Sequence, residues 1–126
     1  MVFCVQLKKL DPNIEEKAIV QIGNVEIQCF VRCWPSSVEV GHFYNADIDV
    51  DILDDFEMKE QAVQTIGFEQ INAFAYSIFG KFSLDSQTVD AGIPIRFDQD
   101  YLYDYAYLDG KYVSVRVDRI NLSFVI

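Results

Sequence analysis

The sequence contains one histidine and lacks the short patterns that mark the common catalytic and cofactor sites. It has no phosphate-binding P-loop, no GxGxxG dinucleotide fingerprint and no HExxH metal motif. Ser36 and Ser37 precede the histidine, His42, but no nucleophile-elbow pattern surrounds them. Paired carboxylates could act as acid and base, yet among twenty acidic residues such pairs arise by number alone. We therefore expect a protein that is not an enzyme and that has no cofactor.

Cysteine is also scarce, because the chain has only Cys4, Cys29 and Cys33. On one extended strand the Cα atoms of Cys29 and Cys33 would lie about 13 Å apart, which is too far for a disulfide. A zinc site needs four ligands of the cysteine or histidine type, and only Cys4 and His42 could complete it. These observations predict buried, reduced thiols and no metal site.

A long apolar segment is missing, and no charged region precedes the apolar residues at the start of the chain. We therefore expect neither a secretion signal nor a transmembrane segment. With reduced thiols, the predicted compartment is the cytoplasm.

Basic residues are few, ten against twenty acidic ones, for a net charge of -10. The acids concentrate in residues 46–60, with a net charge of -6, and in residues 85–109, with -5. Such a polyanion repels phosphate backbones and anionic lipid headgroups, so nucleic acid is disfavoured as a partner and no membrane partner is expected. A basic protein partner or simple solubility fits this charge.

The aromatic content, ten Phe and seven Tyr in 126 residues, favours β structure in a single domain over residues 1–126. Gly23-Asn24 separates two apolar-rich runs and predicts a two-residue hairpin turn. Asp109-Gly110 predicts a second hairpin, between a tyrosine-rich strand and a valine-rich one. Residues 41–53 alternate so regularly that we predict a strand there, with His42 on its inner face.

The remaining chain reads as shorter elements. A helix is predicted from about Asp55 to Gln64, and a strand near residues 71–84 contains Gly80, which indicates a bulge or bend. Pro94 favours an edge strand or a strand start. The predicted fold is mainly β, a small barrel or a sandwich of about eight to ten short strands with at most one short helix.

The segment VEVGHFYNADIDVDI, in which a glycine and an aromatic lead into a long alternating strand, resembles the early strands of OB-fold-type small barrels. This resemblance covers about the first 55 residues and contains no diagnostic functional motif. It implies a barrel ahead of a sandwich, and a ligand-binding module for carbohydrate or nucleic acid as one possible function.

Within ADIDVDIL, three carboxylates occupy alternate positions: Asp47, Asp49 and Asp51. An EF-hand calcium loop that began at Asp47 would need Gly at position 52 and Glu at position 58, where this chain has Ile and Met. Alternate strand residues also lie about 6.5 to 7 Å apart, which is too far for one ion. The row is either a solvated face or an acidic surface that recognises a partner.

A second row comes from YLYDYAYL, in which strand periodicity would place four tyrosines on one face: Tyr101, Tyr103, Tyr105 and Tyr107. Tyr combines apolar area with a polar tip, so these rings could pack on neighbouring strands, contact a protein or stack on single-stranded nucleic acid. Acidic residues surround the rings and no basic residues follow them, which disfavours nucleic acid.

Together these features favour a non-enzymatic, acidic protein-binding domain whose acidic row and tyrosines contact a basic partner. The most specific version is an immunity or inhibitor protein that neutralises a basic toxin, above all a nuclease, whose site attracts phosphate and would also attract ordered carboxylates. The alternatives are an OB-like module for carbohydrate or nucleic acid and a small carboxylate-dependent enzyme.

Overall fold

A computed structural model describes residues 1–125 of the chain, and strands dominate it. One short α-helix, α1 (Gln99–Leu102), is followed by a 3₁₀ helix (Tyr103–Leu108). The strands are β1 (Val2–Leu10), β2 (Lys17–Ile22), β3 (Val25–Val31), β4 (Phe43–Asp51), β5 (Met58–Glu60), β6 (Gly67–Gln70), β7 (Tyr76–Ser83), β8 (Thr88–Asp90), β9 (Pro94–Arg96), β10 (Tyr112–Val117) and β11 (Arg119–Phe124).

Five strands close into a barrel in the order β1-β2-β3-β11-β4. Its pairs are antiparallel except β3 with β11, which run parallel. The predicted small barrel is confirmed, and a closed five-stranded barrel is compatible with an OB-like fold. Closure leaves no free edge in this sheet, which explains how so short a chain protects its strands.

The other six strands form a second sheet in the order β5-β10-β7-β8-β9, with β6 also paired to β7. This sheet is inserted in the chain between the fourth and fifth barrel strands, because only β11 returns to the barrel. Pro94 begins β9 at the sheet edge, as predicted. The mainly β class is therefore confirmed, as a barrel with an attached sheet.

The barrel and the second sheet share one hydrophobic core, and a buried polar contact joins them. The backbone N–H of Gln28 on β3 donates to the Tyr76 hydroxyl on β7 at 2.8 Å. The side-chain amide of Gln28 donates to the carbonyl of Ala73. Burial raises the pKa of Tyr76, so its hydroxyl stays protonated at neutral pH. The first sheet is thus hydrogen-bonded to the second across their interface.

The Gly23-Asn24 turn is confirmed between β2 and β3. Gly23 has a φ of +57° and is the residue of this pair with positive φ. A positive φ at the first central residue is the feature for which glycine is preferred in a two-residue hairpin.

Two predicted elements are wrong. The helix predicted over residues 55–64 is replaced by loops around β5, which pairs with β10. The strand predicted from Tyr101 to Leu108 is helical, so Asp109-Gly110 joins the 3₁₀ helix to β10 and forms no hairpin. Asp98 caps this helical segment by accepting from the N–H of Asp100 at 3.0 Å. The inward residues there recur every three positions, the period of a 3₁₀ helix: Leu102, Tyr105 and Leu108.

The thiols differ from one another, so the prediction of buried thiols is only partly right. Cys29 is buried in the barrel, and desolvation raises its pKa to about 12. Cys33 is exposed because β3 ends at Val31 and its alternation stops there. Cys4 is exposed on the outer face of β1. His42, predicted to face inward, lies exposed just before β4.

The register of β7 with β10 continues unbroken through Gly80, so the predicted bulge is absent there. The glycine is required by a close approach. A Cβ atom at Gly80 would lie 1.9 Å from the carbonyl oxygen of Asp90. On this edge of β7, pairing changes at Gly80 from β6 to β8, and the backbone of β8 passes directly beside it.

We expect Gly80→Ala to lower the free energy of unfolding by about 3 kcal/mol, because the clash is with backbone and forces β8 away from β7. Urea denaturation measures this. Gly23→Ala is the control, since its Cβ meets no atom within 4 Å and it adds only the strain of positive φ, about 1 kcal/mol. Equal losses in the two variants would contradict the role assigned to Gly80.

Candidate functional site

A cleft of about 690 Å³ opens between the outer face of the barrel and the segment from β9 to α1. The acidic row on β4 lines one side, and Asp98 and Tyr101 line the other. Strand alternation explains the row: Ala46 and Ile48 point into the barrel core, and the residues between them point outward. The predicted orientation of Asp47, Asp49 and Asp51 agrees with this geometry.

Each member of the acidic row has a different partner. Asp51 accepts from the Nε of Arg119 at 2.6 Å and from a guanidinium nitrogen of Arg32 at 3.3 Å. Asp49 accepts from the side-chain amide of Asn121 at 2.8 Å. Asp47 accepts from the amino group of Met1 at 2.7 Å. The row is therefore tied into the fold at several points.

Asp51 is the most strongly held of the three. Its partial burial favours the protonated acid, but the hydrogen bond from Arg119 and the positive charges of Arg119 and Arg32 outweigh that effect. The pKa of Asp51 therefore lies below its ordinary value of 3.8. Arg119 also lies over the Phe30 ring, 4.2 Å from its centroid. Asp51 thus belongs to a structural ion-pair group.

The four tyrosines do not share a face, because the segment that contains them is helical. Tyr101 lines the cleft and stacks on Phe56, with ring centroids 5.0 Å apart. Tyr105 is half-buried, and its hydroxyl donates to the carbonyl of Phe56 at 3.2 Å. Tyr103 and Tyr107 are 80% and 71% exposed. Only Tyr101 joins the acidic row in the cleft.

The loop between β4 and β5 completes this part of the surface, because Phe56 within it packs on Tyr101 and Tyr105. Residues 46–57 contain six acids and residues 98–107 contain three, nine in all, and neither segment contains a lysine or arginine. We call these two segments the acidic-aromatic surface. Three arginines border it: Arg32, Arg96 and Arg119.

Several residues of the site were not predicted, namely Arg32, Phe56, Asp98, Arg119 and Asn121. Arg119 and Asn121 occupy alternate positions on β11, as the acids do on β4. The sequence therefore shows that each set lies on one face of its own strand. Their pairing with Asp51 and Asp49 spans 68 and 72 residues, and no local pattern indicates it.

Within residues 1–125, no group of three or more histidine, cysteine, aspartate or glutamate side chains is arranged to hold a metal ion. In the same part of the chain, no helix has the length and apolar character needed to cross a membrane.

The chain belongs to the family described as "Uncharacterised conserved protein UCP019853", whose profile matches residues 1–125. No curated protein matches the chain, and no solved structure does.

The depressed pKa of Asp51 predicts a pH-dependent contribution to stability. Its ionised form is favoured in the folded state, so the contribution is complete above the unfolded pKa near 4 and is lost as the pH falls through the lower folded pKa. We expect Asp51→Asn to lower the free energy of unfolding by about 1 kcal/mol at pH 7. This difference from the unsubstituted protein should shrink below about pH 4.

Thermal unfolding followed by circular dichroism between pH 3 and pH 7 measures this difference. Asp104→Asn is the matched control, because Asp104 is exposed on the 3₁₀ helix and forms no ion pair within residues 1–125. A constant difference across the whole pH range would show that Asp51 stabilises the fold by something other than its charge.

Proposed function

We propose that this member of an uncharacterised conserved family is a non-enzymatic protein-binding domain whose acidic-aromatic surface binds a basic protein. One observation supports this above the others. Two acidic segments, about 40 residues apart in the sequence, contribute to one cleft: the acidic row lines one side, and Asp98 and Tyr101 line the other. Concentrated charge of one sign beside exposed aromatic rings is typical of surfaces that recognise proteins of opposite charge.

The charge of this surface is only partly neutralised within the molecule. Asp47, Asp51 and Glu57 form ion pairs with Met1, with Arg32 and Arg119, and with Lys59, respectively. Within residues 1–125 the other six acids form no ion pair: Asp49, Asp54, Asp55, Asp98, Asp100 and Asp104. These carboxylates produce a negative potential that attracts a basic partner over distances of about a Debye length.

Exposed apolar groups on the same surface supply contact area. Tyr103 and Tyr107 project from the 3₁₀ helix, and Leu53 at the end of the acidic row is 76% exposed. Tyrosines bury large area with few rotatable bonds, and they are enriched among the residues that dominate binding energy. Charge would speed the approach of the partner, and these side chains would slow its departure.

The most specific form of this proposal is an immunity or inhibitor protein that neutralises a basic toxin domain, above all a nuclease. A nuclease site attracts the successive phosphates of a nucleic-acid backbone. Carboxylates without an ion-pair partner within residues 1–125 line the cleft, Asp49 on β4 and Asp98 before α1, and they offer the kind of negative charge that such a site attracts. Such a complex would block the nuclease without any catalytic group on the inhibitor.

The cleft favours a second candidate, a ligand-binding module for a small neutral polar molecule such as a carbohydrate. Its volume of about 690 Å³ is within the range of small-molecule sites, and Tyr101 offers a ring on one wall. Salt separates the candidates, because binding of a neutral sugar should barely respond to ionic strength whereas association with a basic protein should weaken strongly.

The test of the main proposal is association with candidate basic proteins, taken from the products of neighbouring genes and measured by surface plasmon resonance. At 50 mM salt we expect Asp47→Asn combined with Asp49→Asn to slow association about tenfold, and at 500 mM salt the variant should approach the unsubstituted protein. Glu15→Gln combined with Glu16→Gln is the matched control, because it removes equal charge from an exposed loop that does not line the cleft.

Equal slowing by the two double variants would mean that only net charge matters and would remove the cleft from the interface. The absence of binding to any basic protein encoded nearby would overturn the neutralisation version of the proposal.

The tyrosines should act on dissociation. We expect Tyr103→Ala and Tyr107→Ala each to weaken binding of the same partner by about 2 kcal/mol, mainly through faster dissociation. Phe43→Ala is the control, since Phe43 is 66% exposed at the other end of β4 and lies outside the acidic-aromatic surface. If the tyrosine substitutions leave the dissociation rate unchanged, the tyrosines are not part of the interface and only the carboxylates contact the partner.

A further inference from the structure

Asn121 has an unusual environment on the floor of the cleft. It pairs in register with Asp49 and lies on the outer face of β11, between Arg119 and Ser123 along the strand. Its residue exposure is only 8%. The side-chain NH₂ donates to Asp49 at 2.8 Å, which fixes the orientation of the amide. The carbonyl oxygen of that amide, Oδ1, accepts no hydrogen bond within residues 1–125.

An unpaired buried carbonyl oxygen is uncommon in folded proteins, because its desolvation is not repaid by a hydrogen bond. Among the buried side-chain nitrogen and oxygen atoms of residues 1–125, Asn121 Oδ1 alone lacks a hydrogen-bond partner. Its place in a lined cleft indicates that a hydrogen-bond donor from outside the chain completes it.

The neighbouring groups restrict the chemistry of that donor. Asp47 and Asp49 contribute carboxylate oxygens, and Asp49 is the member of the row that has no cationic partner within residues 1–125. The amide oxygen of Asn121 adds a third acceptor. A floor of acceptors, two of them charged, selects a cation with several N–H groups.

The chain itself shows how this face binds a guanidinium. Arg119 lies two positions before Asn121 on β11. It donates to Asp51 at 2.6 Å, and its guanidinium carbon lies 4.2 Å from the centroid of the Phe30 ring. Phe30 is also the register partner of Asn121 on β3 and lines the cleft. A planar fork of donors suits adjacent acceptors better than the compact ammonium of lysine does.

We infer that Asp49 and Asn121 form a subsite for the guanidinium group of an arginine side chain. Asp49 accepts its charged N–H groups, and the subsite lies on the cleft floor facing the Tyr101 wall. This inference rests on the proposed function and names the residue type by which a basic partner enters the cleft. Arg32 and Arg96, which also line the cleft, oppose the incoming charge and limit the affinity of a free ligand.

The test uses N-acetyl-arginine amide, which has one positive charge and no free termini, added to the full-length protein and followed by NMR. We expect saturable shifts in the signals of Asp49, Asn121 and Tyr101 with a dissociation constant of about 1 mM. N-acetyl-lysine amide should bind about fivefold more weakly. Asp49→Asn and Asn121→Leu should each weaken binding of the arginine derivative at least about fivefold.

Glu15→Gln is the control, because it removes one negative charge away from the cleft and should leave the affinity unchanged. Asp49→Asn keeps the shape of the side chain, so the test does not depend on whether Asn121→Leu folds. Equal affinity of the unsubstituted protein and Asp49→Asn, or shifts that never saturate, would overturn the inference.

The same measurements separate this inference from the function on which it rests. Saturable binding of the arginine derivative without binding of any basic protein would support the subsite and count against the proposed function. Binding of the basic protein with no saturable binding of the arginine derivative would overturn the subsite and leave the protein contact in place.

Discussion

One strand pair, β11 with β4, holds the barrel, the inserted sheet and the cleft together. After leaving the barrel at β4, the chain builds the whole second sheet and returns only with β11, which pairs antiparallel with β4 and parallel with β3. This return closes the barrel and removes its edges. It also brings Arg119 and Asn121 beside Asp51 and Asp49. The same strand pairing therefore closes the barrel and forms the cleft floor.

The acidic row consequently has two roles along one strand. Asp51, held by Arg119 and Arg32, contributes to the fold, because its partial burial is offset by two cations. Asp49 is positioned by a neutral amide and keeps its charge uncompensated, which leaves it suited to an external cation. The inserted sheet supplies the opposite wall through Asp98 and Tyr101, so the cleft exists only because the chain interrupts its barrel.

Local patterns predicted the elements whose residues alternate cleanly. The Gly23-Asn24 hairpin and β4 follow from turn chemistry and a period of two, and both agree with the structure. The tyrosine segment was wrongly predicted to be a strand, because its tyrosines occupy alternate positions, which is the pattern of one strand face. The inward residues Leu102, Tyr105 and Leu108 have a period of three, and a capping Asp98 precedes them. Strand β5 has three residues, which are too few for a local sequence preference, and it forms because it pairs with β10.

The mainly β class and the outward direction of Asp47, Asp49 and Asp51 follow from local alternation along the chain, and the negative charge follows from its composition. Which carboxylates are neutralised, and which tyrosine lies in the cleft with them, depends instead on tertiary contacts. Those outcomes depend on β11 and on α1, which lie some 50 to 70 residues from β4 along the chain. Contacts over such distances depend on how the strands are ordered in the sheet, and no short sequence pattern specifies that order.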